Sequence, residues 1–147
     1  MSLSTFNAEE AENLDDIEKQ FAVKAVTQAE TYWNLLTKIP GTKLKLTPYD
    51  DEIFEALLKD FPEFENPEYA SKINEDEMKS LSGKERWRKF MKPFEEKIDD
   101  FNFGTLLRTD SSKEYDQEGT IFVVRLQFYA IEIARNKYGL NDWISQK

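Results

Sequence analysis

The side chains with the clearest chemical potential in this sequence are its carboxylates, which include the adjacent pairs Asp50-Asp51 and Asp99-Asp100. Paired carboxylates can bind a divalent cation, or they can act as general acid and base on a sugar. Glycoside hydrolysis needs the two carboxyl groups to face one another across the sugar, about 5–10 Å apart. Neighbours along a helix point in different directions, and the spacing around Asp50 matches no EF-hand loop. Adjacency alone therefore gives weak support for a metal site or a hydrolase.

The residue types that most enzyme sites require are missing from the chain. It contains no cysteine and no histidine, which excludes disulfides, thiolate nucleophiles, imidazole bases and Cys/His zinc sites. The five glycines lie far apart, so neither a G-x-G-x-x-G loop nor a Walker A loop can be written. We therefore expect a non-enzymatic protein with no catalytic residues, no metal and no cofactor.

The charge balance restricts the classes of partner. The 147 residues carry a formal net charge of −9, which repels phosphate backbones and anionic lipid headgroups. Hydrophobic residues make up 39% of the chain and aromatic residues 14%, enough to build one folded domain. The N-terminal sequence has no basic region followed by an apolar one, so no secretory signal is visible. We expect a cytoplasmic monomer, with the nucleus as a further location, that binds neither nucleic acid directly nor a membrane.

One stretch of this acidic chain is basic. In the helix predicted from Gly83, aromatic residues recur at three- and four-residue steps and mark a core face. Arg86, Arg88 and Lys89 lie on the other side of that helix. These bases either pair with the protein's own acidic loop and face solvent, or form an interaction face for an acidic surface elsewhere.

The longest apolar run, residues 119–140, is predicted to be one buried helix that ends at Gly139. A helical projection places Arg125, Glu132 and Arg135 in one polar sector, and Phe128 falls among them. Two interpretations of Phe128 remain open. Another element of the chain covers it, for example the N-terminal region, or it is an exposed contact ringed by charge, as in a binding hot spot.

These elements predict an all-α fold, a single orthogonal bundle of about five helices with a buried C-terminal helix. The expected helices run from Ala8 to Pro40, from Pro48 to Phe61, over a short turn at 75–80, from Gly83 to Phe101 with a kink at Pro93, and over 119–140. The FNFGTLLRTD segment is interpreted as a compact aromatic connection. We expect residues 1–7 to be disordered and residues 8–140 to form the domain. Residues 141–147 are expected to be a tail, from which Trp143 packs back onto the domain.

Three parts of the sequence together carry a resemblance to a known family: KAVTQAETYWNLL, then KERWRKF with IDDFNFGTLLRTD, then TIFVVRLQFYAIEIARNKYG. Over residues 21–140 the chain resembles the small eukaryotic family called polysaccharide biosynthesis domain-containing protein one. The resemblance implies a dedicated chaperone for translation elongation factor 1A. Such a chaperone engages the nascent GTP-binding domain at the ribosome together with the nascent polypeptide-associated complex, and it releases that domain once GTP binding completes its folding.

The family supplies no contact residues that can be transferred by position, so the predicted binding site comes from the basic helix and the polar sector. The predicted partner-binding residues are Arg86, Arg88, Lys89, Arg125, Phe128, Glu132 and Arg135. Two other functions remain open: a general cytosolic or nuclear adaptor, and an enzyme of polysaccharide metabolism that would use Asp99 and Asp100.

Overall fold

The computed structural model describes residues 16–146, in which seven helices and two strands follow one another. The helices are α1 (Asp16–Lys38), α2 (Asp50–Asp60), α3 (Pro67–Ser71), α4 (Glu75–Lys79), α5 (Leu81–Met91), α6 (Arg125–Lys137) and α7 (Asp142–Ser145). The strands are β1 (Gly104–Arg108) and β2 (Thr120–Val124). The expected start of the first helix at Ala8 and the expected disorder of residues 1–7 lie outside the described residues.

The two strands form an antiparallel hairpin in which Leu106 lies opposite Phe122. The fold is therefore α+β, and the prediction of an all-α bundle is wrong. The predicted helix over 119–140 is wrong in its first part, because Thr120–Val124 is β2 and the helix begins only at Arg125. The β2 sequence TIFVV is β-branched and aromatic, and such residues pack well on a pleated surface once GTLLR supplies a partner strand.

Strand β1 is buried on both of its faces, which places it between the main core and α1. Leu107 and Val123 belong to the main hydrophobic core, whereas Leu106 packs with Ala25 and Ala29 of α1. Because side chains alternate along a strand, one face of the hairpin meets each layer. The hairpin thus joins α1 to the rest of the domain.

Helix α6 lies at the centre of the domain and contacts α2, α3, α5 and both strands. Its C-terminal stop is confirmed. Gly139 has φ of +73°, a left-handed conformation that costs glycine little. The Leu140 amide donates to the Arg135 carbonyl at 2.9 Å, as in a Schellman motif. The prediction of a buried helix is correct for this part of the run.

The C-terminal residues predicted as a tail form α7 and pack on the domain. Ile144 is buried. Trp143 contacts the Trp33 ring edge-on, with ring centroids 6.1 Å apart, and its indole Nε1 donates to the Ser111 carbonyl. None of the helices within residues 16–146 combines the length and apolar composition needed to cross a bilayer.

Helix α5 is fixed in orientation by its aromatic face. Trp87 and Phe90 are both buried against Phe61. The Trp87 ring lies tilted on the Phe61 ring with centroids 4.4 Å apart, and the Phe90 ring contacts it edge-on at 6.2 Å. The helix begins two residues before the predicted start, because the Ser80 hydroxyl caps it by accepting from the Gly83 amide. It ends at Met91 and is followed by a single 3-10 turn over Lys92–Phe94, so the prediction that it continues to Phe101 with a kink at Pro93 is wrong. Pro93 has no amide hydrogen with which to continue the helix.

Candidate protein-binding site

Arg86, one of the three predicted basic contacts on α5, is held by its own chain. Its two terminal nitrogens each donate to a Glu63 carboxylate oxygen at 2.8 Å, and Nη2 also donates to the Asp60 carbonyl. The guanidinium lies 4.4 Å from the centroid of the Phe61 ring, a cation–π distance. The hydrogen bond from Arg86 lowers the pKa of Glu63 below its ordinary value. For Arg86, pairing with the acidic segment after α2 is therefore the observed arrangement.

Arg88 and Lys89 are both exposed and form no ion pair with the side chains that the structure describes, which are those of residues 23–146. The same holds for Lys84 and Lys92 on the same side of the helix. These four residues are called the cationic face below. Glu85 is the one acidic residue in the sequence between positions 81 and 92. With Arg86 neutralised by Glu63, this exposed surface has a net charge of +3 on a chain whose total is −9.

Arg125 lies at the N-terminal end of α6, where its side chain is 25% exposed. Its Nη1 is 3.9 Å from the Asp100 carboxylate, and its Nη2 donates to the Gln28 side chain at 3.5 Å. The guanidinium also faces the Phe103 ring at 5.6 Å. Arg125 therefore bridges α1, the turn before β1 and α6, with a minor part of its surface open to solvent.

The other three predicted contacts on α6 are buried, so the expectation that this sector faces outward is wrong. Phe128 is 3% exposed, Glu132 1% and Arg135 0%. Phe128 packs edge-on against Tyr32 of α1 with ring centroids 5.3 Å apart. Helix α1 thus covers the sector, which agrees with the interpretation that another element of the chain packs on Phe128. A helical projection cannot show this cover, because it describes one helix without its neighbours.

Glu132 and Arg135 belong to a buried charge cluster whose third member is Arg108 of β1. Arg135 Nη1 donates to Glu132 Oε2 at 2.8 Å, and Arg108 Nη2 lies 3.5 Å from Glu132 Oε1. Arg108 Nη2 also donates to the Asn141 side chain at 2.6 Å. Tyr32 Oη donates to Glu132 Oε1 at 2.9 Å. One carboxylate therefore balances two guanidinium groups in the centre of the fold.

Other donors of the two arginines bind backbone carbonyls of surrounding segments, whereas the buried Nε of Arg108 has no hydrogen-bond partner among the described residues. Arg135 Nε donates to the Ala70 carbonyl at 2.7 Å, at the end of α3. Arg108 Nη1 donates to the Ser111 and Lys113 carbonyls, each at 3.0 Å, in the loop between the strands. The cluster thus ties the end of α3 and the loop between the strands to the centre of the fold.

Electrostatics in the cluster favour the ionised carboxylate. Burial by itself raises the pKa of Glu132, but the charges of Arg135 and Arg108 outweigh burial and hold that pKa below its ordinary value. Burial, followed by the charge of Glu132, raises the pKa of Tyr32 well above its ordinary value. Tyr32 therefore stays a neutral hydrogen-bond donor throughout the range in which proteins work.

Sequence reasoning missed Arg108, and the predicted contacts did not include Lys84 and Lys92, although both lie on the basic side of the predicted helix. An arginine inside the apolar string GTLLR is a signal for a buried and paired charge, because arginine is rarely fully buried without a partner. Lys84, Arg88 and Lys92 are spaced by four residues, which places them on one side of a helix. That spacing could have extended the predicted face to both lysines.

The adjacent carboxylates take separate partners. Asp50 accepts from the amides of Leu46 and Thr47 at 2.8 and 2.7 Å, so it fixes the turn before α2. Asp51 instead pairs with Lys137 at 2.8 Å. Asp99 and Asp100 are both exposed, and Asp100 has φ of +54°. Within the described part of the chain, no residue binds both carboxylates of either pair.

Comparison with known proteins places this fold in a family. The family model described as "PBDC1 protein" matches residues 17–146. A Saccharomyces cerevisiae protein named "Protein PBDC1 homolog" is 66% identical over 97% of this chain and 97% of its own length. The human protein named "Protein PBDC1" is 43% identical over 91% of this chain and 56% of its own length.

A solved structure supports the same relationship. The solution NMR structure of a Saccharomyces cerevisiae protein is 65% identical and superposes with a TM-score of 0.86, covering 98% of this chain and 99% of that one. At such identity the sequence match and the shared fold support one another. The chain therefore belongs to the PBDC1 family, the polysaccharide biosynthesis domain-containing protein one family that its sequence resembles.

Proposed function

We propose that this protein is a non-enzymatic chaperone for translation elongation factor 1A. In this proposal it binds the nascent GTP-binding domain at the ribosome in the cytoplasm, together with the nascent polypeptide-associated complex, and the protein is also present in the nucleus. Membership of the PBDC1 family supports the proposal, because the family resemblance implies this role. The proposal includes a release step, in which GTP binding completes the folding of the client domain.

Such a cycle needs no nucleotide hydrolysis by the chaperone. A ligand that binds the unfolded or partly folded client, but not the folded one, loses its target when folding is completed. The differential affinity comes from the client, since its own folding buries the surface that the chaperone holds. A small α+β domain with an exposed docking face is sufficient for this task.

The structural observation that carries the proposal is the cationic face of α5. Arg88 and Lys89 project into solvent and have no acidic partner among the side chains of residues 23–146. The chain has 29 acidic residues, and two of them, Glu63 and Glu77, pair with Arg86 next to this surface. Positive charge that stays unpaired on an acidic protein is well suited to select and orient an acidic partner.

The test is capture of nascent elongation factor 1A by a variant with Arg88→Glu and Lys89→Glu. Both positions are exposed, so the variant should fold normally and bind the client less. The matched control is Lys43→Glu with Lys45→Glu, which makes the same charge change at two exposed lysines elsewhere. Unchanged capture by the α5 variant, or equal loss in the control, would exclude the cationic face as the client site.

A second measurement separates the dedicated chaperone from a general adaptor. Selective ribosome profiling of the tagged protein reports which nascent chains it accompanies. Enrichment on the message for elongation factor 1A supports the proposal. A broad spread over many messages, with no preference for that one, contradicts the proposal and supports an adaptor.

A further inference from the structure

Leu81, the first residue of α5, is the most exposed large apolar side chain that the structure describes. It is 79% exposed, whereas Val23 and Phe122 are each 52% exposed. Leu81 follows the Ser80 cap directly, so its backbone position is fixed by the first turn of the helix. The side chain of this leucine therefore lies in solvent at a defined position on the helix, and it makes almost no contribution to the core.

Leu81 lies on the same side of α5 as the cationic face. Positions 81, 84, 88 and 92 recur at steps of three and four residues, which places them in one row along a helix. The opposite side of α5 is buried through Trp87 and Phe90. The row therefore begins with an apolar side chain and continues with Lys84, Arg88 and Lys92, all directed outward.

This row contributes little to the stability of the isolated domain. Like charges four residues apart on a helix repel one another, at a cost of about 0.2–0.5 kcal/mol per pair. Arg88 lies in the last turn of α5, where the helix dipole favours its charge, but the exposed leucine forgoes the free energy of burial. An exposed leucine beside a row of like charges is a local inconsistency that is typical of a functional surface.

We infer that Leu81 is the apolar anchor of a docking surface formed with Lys84, Arg88 and Lys92, and that this surface contacts a partner-protein segment in which carboxylates flank an apolar side chain. An apolar contact within a charged border is the usual arrangement of a binding hot spot. The inference rests on the proposed function only in taking a protein as the partner. A nucleic acid fits less well, because the chain's net charge of −9 repels phosphates and Leu81 offers no stacking surface for a base.

The experiment uses the full chain with Leu81→benzoylphenylalanine, a photoreactive residue, in a translation extract that synthesises elongation factor 1A. After irradiation, the cross-linked segment is identified by mass spectrometry. We expect a segment with two or more carboxylates within about one helical turn of an apolar residue. A basic or uncharged segment, a cross-link to RNA, or no cross-link while the client is still captured would overturn the inference.

A matched pair of variants measures the contribution of the leucine. Leu81→Ser should leave thermal unfolding unchanged, since the side chain is exposed, and it should weaken capture by about tenfold, as expected for a hot-spot residue. The control is Leu35→Ser, at a partly exposed leucine on α1, for which capture should stay within about twofold. Equal capture by both variants would contradict a role for Leu81.

The outcomes separate this inference from the proposed function. An acidic segment that belongs to another protein would retain the docking chemistry and remove elongation factor 1A as the client on this face. A basic segment of elongation factor 1A would retain that protein as the client and contradict the docking chemistry.

Discussion

Glu132 accepts three kinds of hydrogen bond in the centre of the fold: from a guanidinium, from the Tyr32 phenol and from the Asn141 amide. Both of its oxygens are therefore occupied. A buried ion pair of this kind adds little net stability compared with an apolar core of the same shape, but removal of one partner leaves the others unpaired. The two arginines make Glu132 the residue whose loss matters most.

We predict that Glu132→Gln destabilises the domain by about 3–5 kcal/mol, because two guanidinium groups would remain buried beside a neutral amide. Chemical denaturation followed by tryptophan fluorescence measures the change. Glu55→Gln, at an exposed position of α2, serves as the control and should have little effect. A loss below about 1 kcal/mol at position 132 would show that the cluster relaxes or hydrates when its carboxylate is removed.

The pH dependence of unfolding tests the same residue. The pKa of Glu132 is lower in the folded chain than its ordinary value of 4.5, so its contribution to stability is fully present above that value. This contribution is lost as the pH falls from about 4.5 through the folded pKa. The Glu132→Gln variant should therefore lose less of its free energy of unfolding over this acid range than the natural sequence. Parallel curves would contradict the assignment.

Arg86 and Arg88 are two residues apart, but Arg86 contacts Glu63 and Phe61, whereas Arg88 is exposed. Arg86→Lys should cost about 1 kcal/mol, because an ammonium cannot reproduce the paired contact with Glu63 or the stacking on Phe61, while partial exposure limits the loss. Arg88→Lys is the matched control and should leave the melting temperature unchanged. Calorimetry of both variants measures the difference, and equal melting temperatures would show that the Arg86 contacts carry no stability.

The junction of α4 and α5 requires a residue without a side chain at position 83, which is Gly83. A Cβ at this position would collide with the carbonyl oxygen of Glu77 and lie 3.0 Å from the Ser80 hydroxyl. The two short helices can meet only because residue 83 has no side chain.

Gly83→Ala should therefore destabilise the domain by about 1–3 kcal/mol, although alanine is the better helix former. Glu85→Ala, at an exposed position of the same helix, is the control in which only helix propensity changes. Urea denaturation measures both. A gain of stability in Gly83→Ala would show that α4 moves aside at no cost.

The elements that the sequence predicts well are those with strong local signals. Asn74 caps α4 by accepting from the Glu77 amide, as the spacing of those residues predicts. The boundary at Arg125 could not be predicted, because an apolar strand followed directly by a buried helix forms one apolar run. Only the pairing of Thr120–Val124 with a distant segment distinguishes the two structures, and that pairing is a long-range property.

At the scale of the whole molecule, two opposite electrostatic effects act on an acidic partner. The net charge of −9 repels it at long range, whereas the cationic face attracts it at contact. Arg88→Glu with Lys89→Glu changes the chain from −9 to −13, since each reversal changes the charge by two. The net charge of the exposed side of α5 then changes from +3 to −1, so that repulsion prevails there too.

For the acidic partner segment inferred above, added salt should therefore slow association with the natural sequence and speed association with the double variant. The reason is that salt screens attraction in the first case and repulsion in the second. Stopped-flow or biolayer measurements between about 50 and 500 mM salt give the two slopes. Slopes of the same sign would show that the cationic face does not direct the encounter.

The candidate site illustrates what a single sequence can predict. Arg88 and Lys89 were predicted from their position opposite the aromatic face, and that depends on one helix alone. Glu132 and Arg135 resemble surface residues in the same projection, but α1 and β1 cover them. Whether a charge is paired internally or offered to a partner depends on which elements pack together, and composition and periodicity do not contain that information.

The buried charge cluster also determines when the chain can fold as it is synthesised. Its hydrogen bonds join Tyr32 to Glu132 across 100 positions and Arg135 to the Ala70 carbonyl across 65. Arg108 cannot be buried with its partners until Asn141 has left the ribosome. Such long-range contacts make folding slow and nearly all-or-none. The domain is therefore expected to fold after its synthesis, and a nascent chain that stops short of Asn141 would itself require protection.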